Sequence, residues 1–424
     1  MNGVWNKIRS YWRLLGPGLV TGAADDDPSG IATYSQTAVM FGYTQLWVAL
    51  FSFPFMTVIQ EMCGRIGLVT GDGLSGVIRR YYSRQILWGA ISLLIVANTI
   101  NIGADLGAMA ASLQLLVPVP FFVLLVTITV VTILLEIFVP YPTYAKILKY
   151  LALSLFAYVI SAFLVKQNWP LILHSTLLPH ISLTKDYVLN IAAFLGTTIS
   201  PYLFFWQADE EVEDEIVRGE MANIGEGTPN ITGEDVSRMR ADTIVGMFFS
   251  NFVTFFILVT VASTLGAAGI RHIATAADAA SALRPVAGNF AFFLFTLGII
   301  GTGLLAIPVL AGSAGYAVAE AMQWKMGLGK QFGQARGFYV VIWLATLVGV
   351  LVNMTSIAPM TMLYYSAMLN GVLAPPLMVL ILLMANDPRV MGERVNGRVS
   401  NILGWTITLI MGVVGLGVIA ALFI

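Results

Sequence analysis

Two apolar stretches of this chain, each long enough to cross a bilayer, are interrupted at their middles by residues that an unbroken membrane helix rejects. The first runs from about Leu14 to Phe41 and carries Ala23-Ala24-Asp25-Asp26-Asp27-Pro28-Ser29-Gly30 at its centre. The second runs from about Tyr187 to Trp206 and is interrupted by Thr197-Thr198-Ile199-Ser200-Pro201. Proline removes a backbone donor and frees a carbonyl. At membrane depth such a break survives only where it is buried in protein or lines a watery cavity. A carboxylate there costs about 2.5–3.5 kcal/mol on insertion scales. Paired interruptions in corresponding segments of two halves point to the binding site of a secondary transporter.

The rest of the composition agrees. The 424 residues are 58% hydrophobic and only 11% charged, against roughly a quarter charged in soluble domains. This is an all-α polytopic membrane protein with no soluble domain. One cysteine, Cys63, excludes a disulfide framework and a thiolate metal site. Residues 1–13 lack the apolar core and cleavage site of a signal peptide and are expected to be retained.

Spans of roughly 20 residues are expected at 14–41, 44–67, 87–117, 120–139, 143–165, 187–217, 240–269, 289–320, 335–356, 358–385 and 401–423, eleven in all. The basic residues set the orientation. With the amino terminus cytoplasmic and the carboxyl terminus extracytoplasmic, every Lys and Arg falls inside except Lys166, Lys185, Arg271 and Arg284. Helices 1–5 (14–165) and 6–10 (187–385) form two sets, and an odd number of spans inverts the second set relative to the first. Helix 11 (401–423) is an appendage.

The acidic triplet stands well inside its apolar run, between Arg13 and Val39, which argues against a merely hydrated helix end. Asp27 adjoins the break and is the expected carboxylate ligand. Asp25 or Asp26 would line the route. The second break offers the Thr197 carbonyl and the Ser200 hydroxyl, with Gly30 opposite leaving room for retained water. Such an all-oxygen set suits a hard cation, Mg²⁺ above all, which keeps several waters and takes one or two carboxylates. Glu61 and Asp105 are single acids in apolar helices, each open to a structural or a site role. Glu136 is expected at an interface. The run from Asp209 to Glu215 reads as a solvated face or as a mouth that concentrates cations. Gly301-Thr302-Gly303 reads as close helix packing. A zinc protease would need His-Glu-x-x-His, which is missing. No enzymatic activity, cofactor, nucleic-acid contact or obligate protein partner is expected, only the cation and the lipid bilayer.

Across nearly the full chain the sequence resembles the NRAMP family of divalent-metal transporters. Gly16-Pro17-Gly18 followed by Asp27-Pro28-Ser29-Gly30 is similar to that family's first helix, whose break reads Asp-Pro-Gly-Asn. Thr197-Thr198-Ile199-Ser200-Pro201-Tyr202 fills the frame of its Ala-x-x-Met-Pro-His. Ala104-Asp105-Leu106-Gly107-Ala108 resembles its Thr-Asp-Leu-Ala-Glu, and Asn386-Asp387-Pro388-Arg389-Val390-Met391-Gly392-Glu393 its helix 10 end, although the glutamine before Pro375 is Leu373 here. The resemblance implies a LeuT-like fold with two inverted five-helix repeats plus one extra helix, in the cell (plasma) membrane. It implies a metal site of Asp27, Gly30, Thr197 and Ser200, with Asp26, Asp105, Tyr202 and Gln207 as accessory candidates.

The departures set the cargo. The family's Asn is Gly30, its soft Met is Ser200, its histidines are Tyr202 and Gln207, and its helix 3 Glu is Ala108. Helix 9 lacks the family's arginine, and His174, His180 and His272 all fall in outer loops. The pattern resembles the NRAMP-related magnesium transporter branch, which implies alternating-access transport of Mg²⁺, with Mn²⁺ as a further cargo and no proton coupling. The alternative is a proton-coupled Mn²⁺/Fe²⁺ importer of the family's usual type. A sodium-coupled organic-solute symporter of the same fold ranks third, because a solute carboxylate sits poorly beside the acidic triplet.

Overall fold

The computed structural model describes residues 16–139, 153–227 and 229–421, and among them every regular element is helical. The first apolar stretch folds as two short helices, α1 (Pro17–Asp25) and α2 (Pro28–Phe41), with Asp26 and Asp27 between them. Then come α3 (Leu46–Thr70), α4 (Leu74–Tyr81), α5 (Arg84–Leu113) and α6 (Phe121–Phe138). After residue 152 follow α7 (Phe156–Leu164) and α8 (Trp169–Leu177). The second broken stretch is α9 (Lys185–Thr198) and α10 (Pro201–Arg218). The chain continues through α11 (Gly233–Val261), the short α12 (Ala276–Ser281) and α13 (Arg284–Ala287), α14 (Ala291–Met322), α15 (Arg336–Leu351), α16 (Pro359–Asn386), α17 (Pro388–Met391) and α18 (Arg398–Ala421).

Nine helices among the described residues, with α9 and α10 taken together, are long and apolar enough to cross a membrane. Two of the eleven expected spans lie outside that set. The first is made of two half-helices, and much of the expected 143–165 span lies in residues 140–152, outside the described residues. Local caps set two boundaries that hydropathy does not. Helix α11 starts at Gly233 rather than 240 because Thr232 and Asp235 cap each other reciprocally. Helix α8 sits where a loop was expected, capped by the Asn168 side chain on Leu171 N, with Pro170 in its first turn. Pro54, Pro308, Pro375 and Pro376 lie inside long helices without ending them, as neighbouring membrane helices allow.

Glycine sets how closely the half-helices pack. A Cβ on Gly22 would fall 2.2 Å from Gly246 O, and one on Gly246 would fall 2.0 Å from Gly18 O, so α1 and α11 meet backbone to backbone. Gly18 N also donates to Asp242 Oδ2 at 2.6 Å. In the same way Gly196 of α9 lies against Gly371 of α16, where a Cβ would be 2.3 Å from Gly371 N. Gly303 likewise abuts Met109, which is the packing role expected of the Gly301–Gly303 segment. Without a hydrophobic drive between helices in lipid, such close approach supplies the packing contacts. Gly246→Val should therefore destabilise the protein by at least about 1–3 kcal/mol, the range for overpacking. A thermal melt in detergent would reveal it, and an unchanged midpoint would contradict the α1–α11 contact.

Candidate functional site

Both breaks are closed by their own side chains. At the start of α2 Asp27 is the N-cap: its Oδ1 accepts from Gly30 N at 2.8 Å and from Ser29 Oγ at 2.6 Å. Its Oδ2 accepts from Asn101 Nδ2 at 2.9 Å, with Tyr202 Oη at 3.5 Å. At the second break Ser200 Oγ donates to the carbonyls of Gly196 and Thr197, each at 2.8 Å, so it satisfies the freed end of α9. Tyr202 Oη donates to Ala24 O, at the end of α1, at 3.1 Å. The two breaks touch through Ser29 Oγ and Thr197 Oγ1, 3.3 Å apart. Asp27, Gly30, Thr197 and Ser200 are thus brought together, with Tyr202 beside them. The carboxyl ends of α1 and α9 meet here too, where the dipole favours a cation.

Gly30 packs closely between the breaks. A Cβ on Gly30 would stand 3.3 Å from Asp25 O and from Tyr34 Cε2, and 3.4 Å from Thr197 Oγ1. Gly30 thus lies close to both half-helix ends, where an added side chain would press on Asp25 O, Tyr34 and Thr197.

The remaining candidates scatter. Asp105 reaches the site through Asn101, whose Nδ2 also lies 3.2 Å from Asp105 Oδ2. Asp105 Oδ1 is buried without a donor. Asp26 faces away, toward Ser250 Oγ at 3.5 Å. Gln207 lies farther along α10, accepting from Thr21 Oγ1 at 2.6 Å and donating to Glu211 at 2.8 Å. It links α1 to α10 rather than facing Asp27. Glu61 is structural, paired with Arg65 at 2.9 Å and Arg240 at 2.8 Å. Glu136 is buried with no donor to either oxygen.

The run from Asp209 to Glu215 is not a solvated face. Asp209, Glu211 and Glu215 are buried, and Glu213 accepts from Tyr316 Oη at 2.9 Å. Nearby, Glu320 caps α4 by accepting from Gly73 N and Gly76 N. Outside the spans, burial raises the Asp72 carboxyl to about 6 against the pull of Arg80 and Arg79.

Asp25, Asp26, Asp27 and Asp105 are at most 5% exposed. Among the described residues none of them pairs with Lys or Arg. Buried carboxylates need a compensating charge or a proton. Also among the described residues, no group of three or more His, Cys, Asp or Glu converges as a ready metal cage. An ion at Asp27 would be met by one carboxylate, hydroxyls, carbonyls and water.

Sequence reasoning missed Asn101. It stands one helical turn before Asp105 and one after Asn98, and that spacing was the available signal. On its far side Asn101 Oδ1 accepts from Ser366 Oγ at 3.0 Å, which fixes the amide so that Nδ2 faces both carboxylates. Asn101→Ala should weaken divalent-cation binding about 10–100-fold, as loss of an orienting partner does. Mn²⁺ titration of purified protein measures this, and wild-type affinity would show that Asn101 does not position Asp27.

A family model described as natural resistance-associated macrophage protein-like matches residues 18–421. The divalent metal cation transporter MntH of Yersinia enterocolitica is 26% identical over 411 residues, spanning 94% of this chain and 92% of that protein. That of Deinococcus radiodurans is 24% identical over 414 residues, spanning 95% and 88%. The manganese transporter of Eremococcus coleocola, solved with an aromatic bis-isothiourea compound, superposes with a TM-score of 0.74 at 17% identity, covering 97% of this chain and 88% of its own. The nucleobase-cation-symport-1 transporter Mhp1 in a closed conformation gives 0.62 at 13% identity, covering 96% and 91%. The fold is the one these transporters share, and the chain belongs to the Nramp family.

Proposed function

We propose that this Nramp-family protein is a carrier, not an enzyme, that moves divalent cations through the cell membrane by alternating access, with Mg²⁺ as its main cargo and Mn²⁺ as a second. Its relatives are named as divalent metal cation transporters, which supports the cation class. The observation that carries the Mg²⁺ reading is the chemistry around Asp27. Every partner of Asp27 and of Ser200 in the break is an oxygen or nitrogen group, with no thioether. Oxygen ligands and retained water suit Mg²⁺, whereas sulfur ligands favour softer metals. Asp27, Gly30, Thr197 and Ser200 form the metal site in this reading, Gly30 as the backbone position that lets the breaks close. Segments 14–165 and 187–385 act as inverted repeats and 401–423 as an added helix, with the amino terminus cytoplasmic and the carboxyl terminus outside.

Asp27→Ala should abolish Mg²⁺ uptake into proteoliposomes while the protein still folds, its melt lowered only by the loss of an N-cap, about 0.5–2 kcal/mol. Gly30→Asn with Ser200→Met should shift competition toward Mn²⁺ over Mg²⁺. Uptake that survives in the first variant sinks the site, and unchanged competition in the second sinks the ligand-softness argument.

The carrier needs no proton. Moving charge through the membrane potential is worth about 2.3 kcal/mol per 100 mV. At roughly 120 mV a divalent ion gains about 5.5 kcal/mol, on the order of a 10⁴-fold concentration ratio. The second reading, a proton-coupled Mn²⁺/Fe²⁺ importer, is favoured by one observation: the donorless Asp105 Oδ1, joined to Asp27 through Asn101. Internal pH during Mg²⁺ uptake at fixed voltage separates the two. A steady pH is expected. Acidification that tracks Mg²⁺ and disappears in Asp105→Asn would establish coupling.

A further inference from the structure

Asp25 and Asp26 take no part in holding Asp27. Asp25 is the last residue of α1 and Asp26 its C-cap, so both carboxylates stand at the negative end of a helix, where an anion is disfavoured. Asp27, one residue on, caps the positive end of α2 and is held by donors from α2 and α5, with Tyr202 Oη of α10 at 3.5 Å. On the opposite side α11 presents Ser250, whose Oγ donates to Asp25 Oδ2 and lies 3.5 Å from Asp26 Oδ1. One hydroxyl therefore touches both carboxyl groups. Asp25 Oδ1 has no donor although the residue is 0% exposed, and among the described residues no Lys or Arg pairs with either acid.

We infer that Asp25, Asp26 and Ser250 form a second site for a hard divalent cation, on the α11 face of the break and separate from the α5 face that holds Asp27. The charge decides the valence. Two adjacent carboxylates are cancelled by one divalent ion, whereas a monovalent ion leaves one buried charge uncompensated. The donors are carboxylate and hydroxyl oxygens, which suit Mg²⁺ or Mn²⁺. The inference rests on the reading of Asp27 as the transported ion's ligand, and it gives that ion a neighbour. Two cations on opposite faces of one break repel each other, and multi-site occupancy of this kind lets an ion that binds well also leave.

Equilibrium dialysis of the purified full chain against Mn²⁺, with Mg²⁺ as competitor, tests it. Wild type should bind two Mn²⁺ per chain, and Asp25→Asn with Asp26→Asn one. Asp27→Ala should also bind one. Ser250→Ala should keep both sites with one weakened about 10-fold. A single Mn²⁺ per wild-type chain overturns the second site, as do two Mn²⁺ retained by the Asp25/Asp26 double variant. Should that variant fail to fold, the wild-type count and a Ser250→Ala affinity equal to wild type still decide against it. Two Mn²⁺ retained by Asp27→Ala, with one lost in the double variant, would instead remove the Asp27 reading and leave the second site standing.

Discussion

The structure depends on satisfying backbone groups that two broken helices set free inside an apolar bundle. A break at this depth leaves carbonyls and N–H groups that lipid cannot bond, each costing several kcal/mol if orphaned. Asp27 takes Gly30 N, Ser200 reaches the carbonyls of Gly196 and Thr197, and Tyr202 reaches the Ala24 carbonyl. The groups that would meet a cation are the same ones that hold the breaks together. Binding an ion here exchanges an internal bond for a metal bond, so the state of the site and the shape of the breaks are bound to change together.

Packing keeps those ends where the chemistry needs them. Gly18, Gly22 and Gly246 press α1 onto α11, and Gly196 with Gly371 presses α9 onto α16. Each contact places a half-helix against a long, unbroken one. Helix α5 supplies the other fixed wall, since Asn98 donates to Leu310 O and to Ser313 of α14 while Asn101 points at Asp27. The polar residues of α5 recur on one face, the spacing a helix demands.

The two breaks, nearly all of the long helices, and the grouping of Asp27 with Thr197 and Ser200 were legible because proline and charge in apolar runs are strong local signals. Asn101 was not, since an amide in a membrane helix has many partners to choose from, and only the packed structure gives Asn98 to α14 and Asn101 to Asp27. Gln207 bonds Thr21 and Glu211 rather than Asp27, a facing that motif alignment, which gives sequence order alone, does not carry. The acidic residues from Asp209 to Glu215 looked solvated because sequence carries no record of α3, α4 and α14 closing over them. Helix α8 and the early start of α11 depended on caps at Asn168 and Thr232, which are short-range signals outweighed by hydropathy.

Three consecutive aspartates show how position alone separates roles. Asp27 stands at a helix start, where free N–H groups and the dipole stabilise its charge without any metal. Asp25 and Asp26 stand at a helix end, where the same dipole works against them and, among the described residues, only Ser250 offers a side-chain donor. Gly30 N, Ser29 Oγ and Asn101 Nδ2 offset more of the cost of a charge at Asp27 than Ser250 does at Asp25 and Asp26. The broken helix therefore does more than free a carbonyl for a ligand. By reversing the field within two residues, it makes one acid stable enough to wait for an ion and leaves its neighbours in need of one.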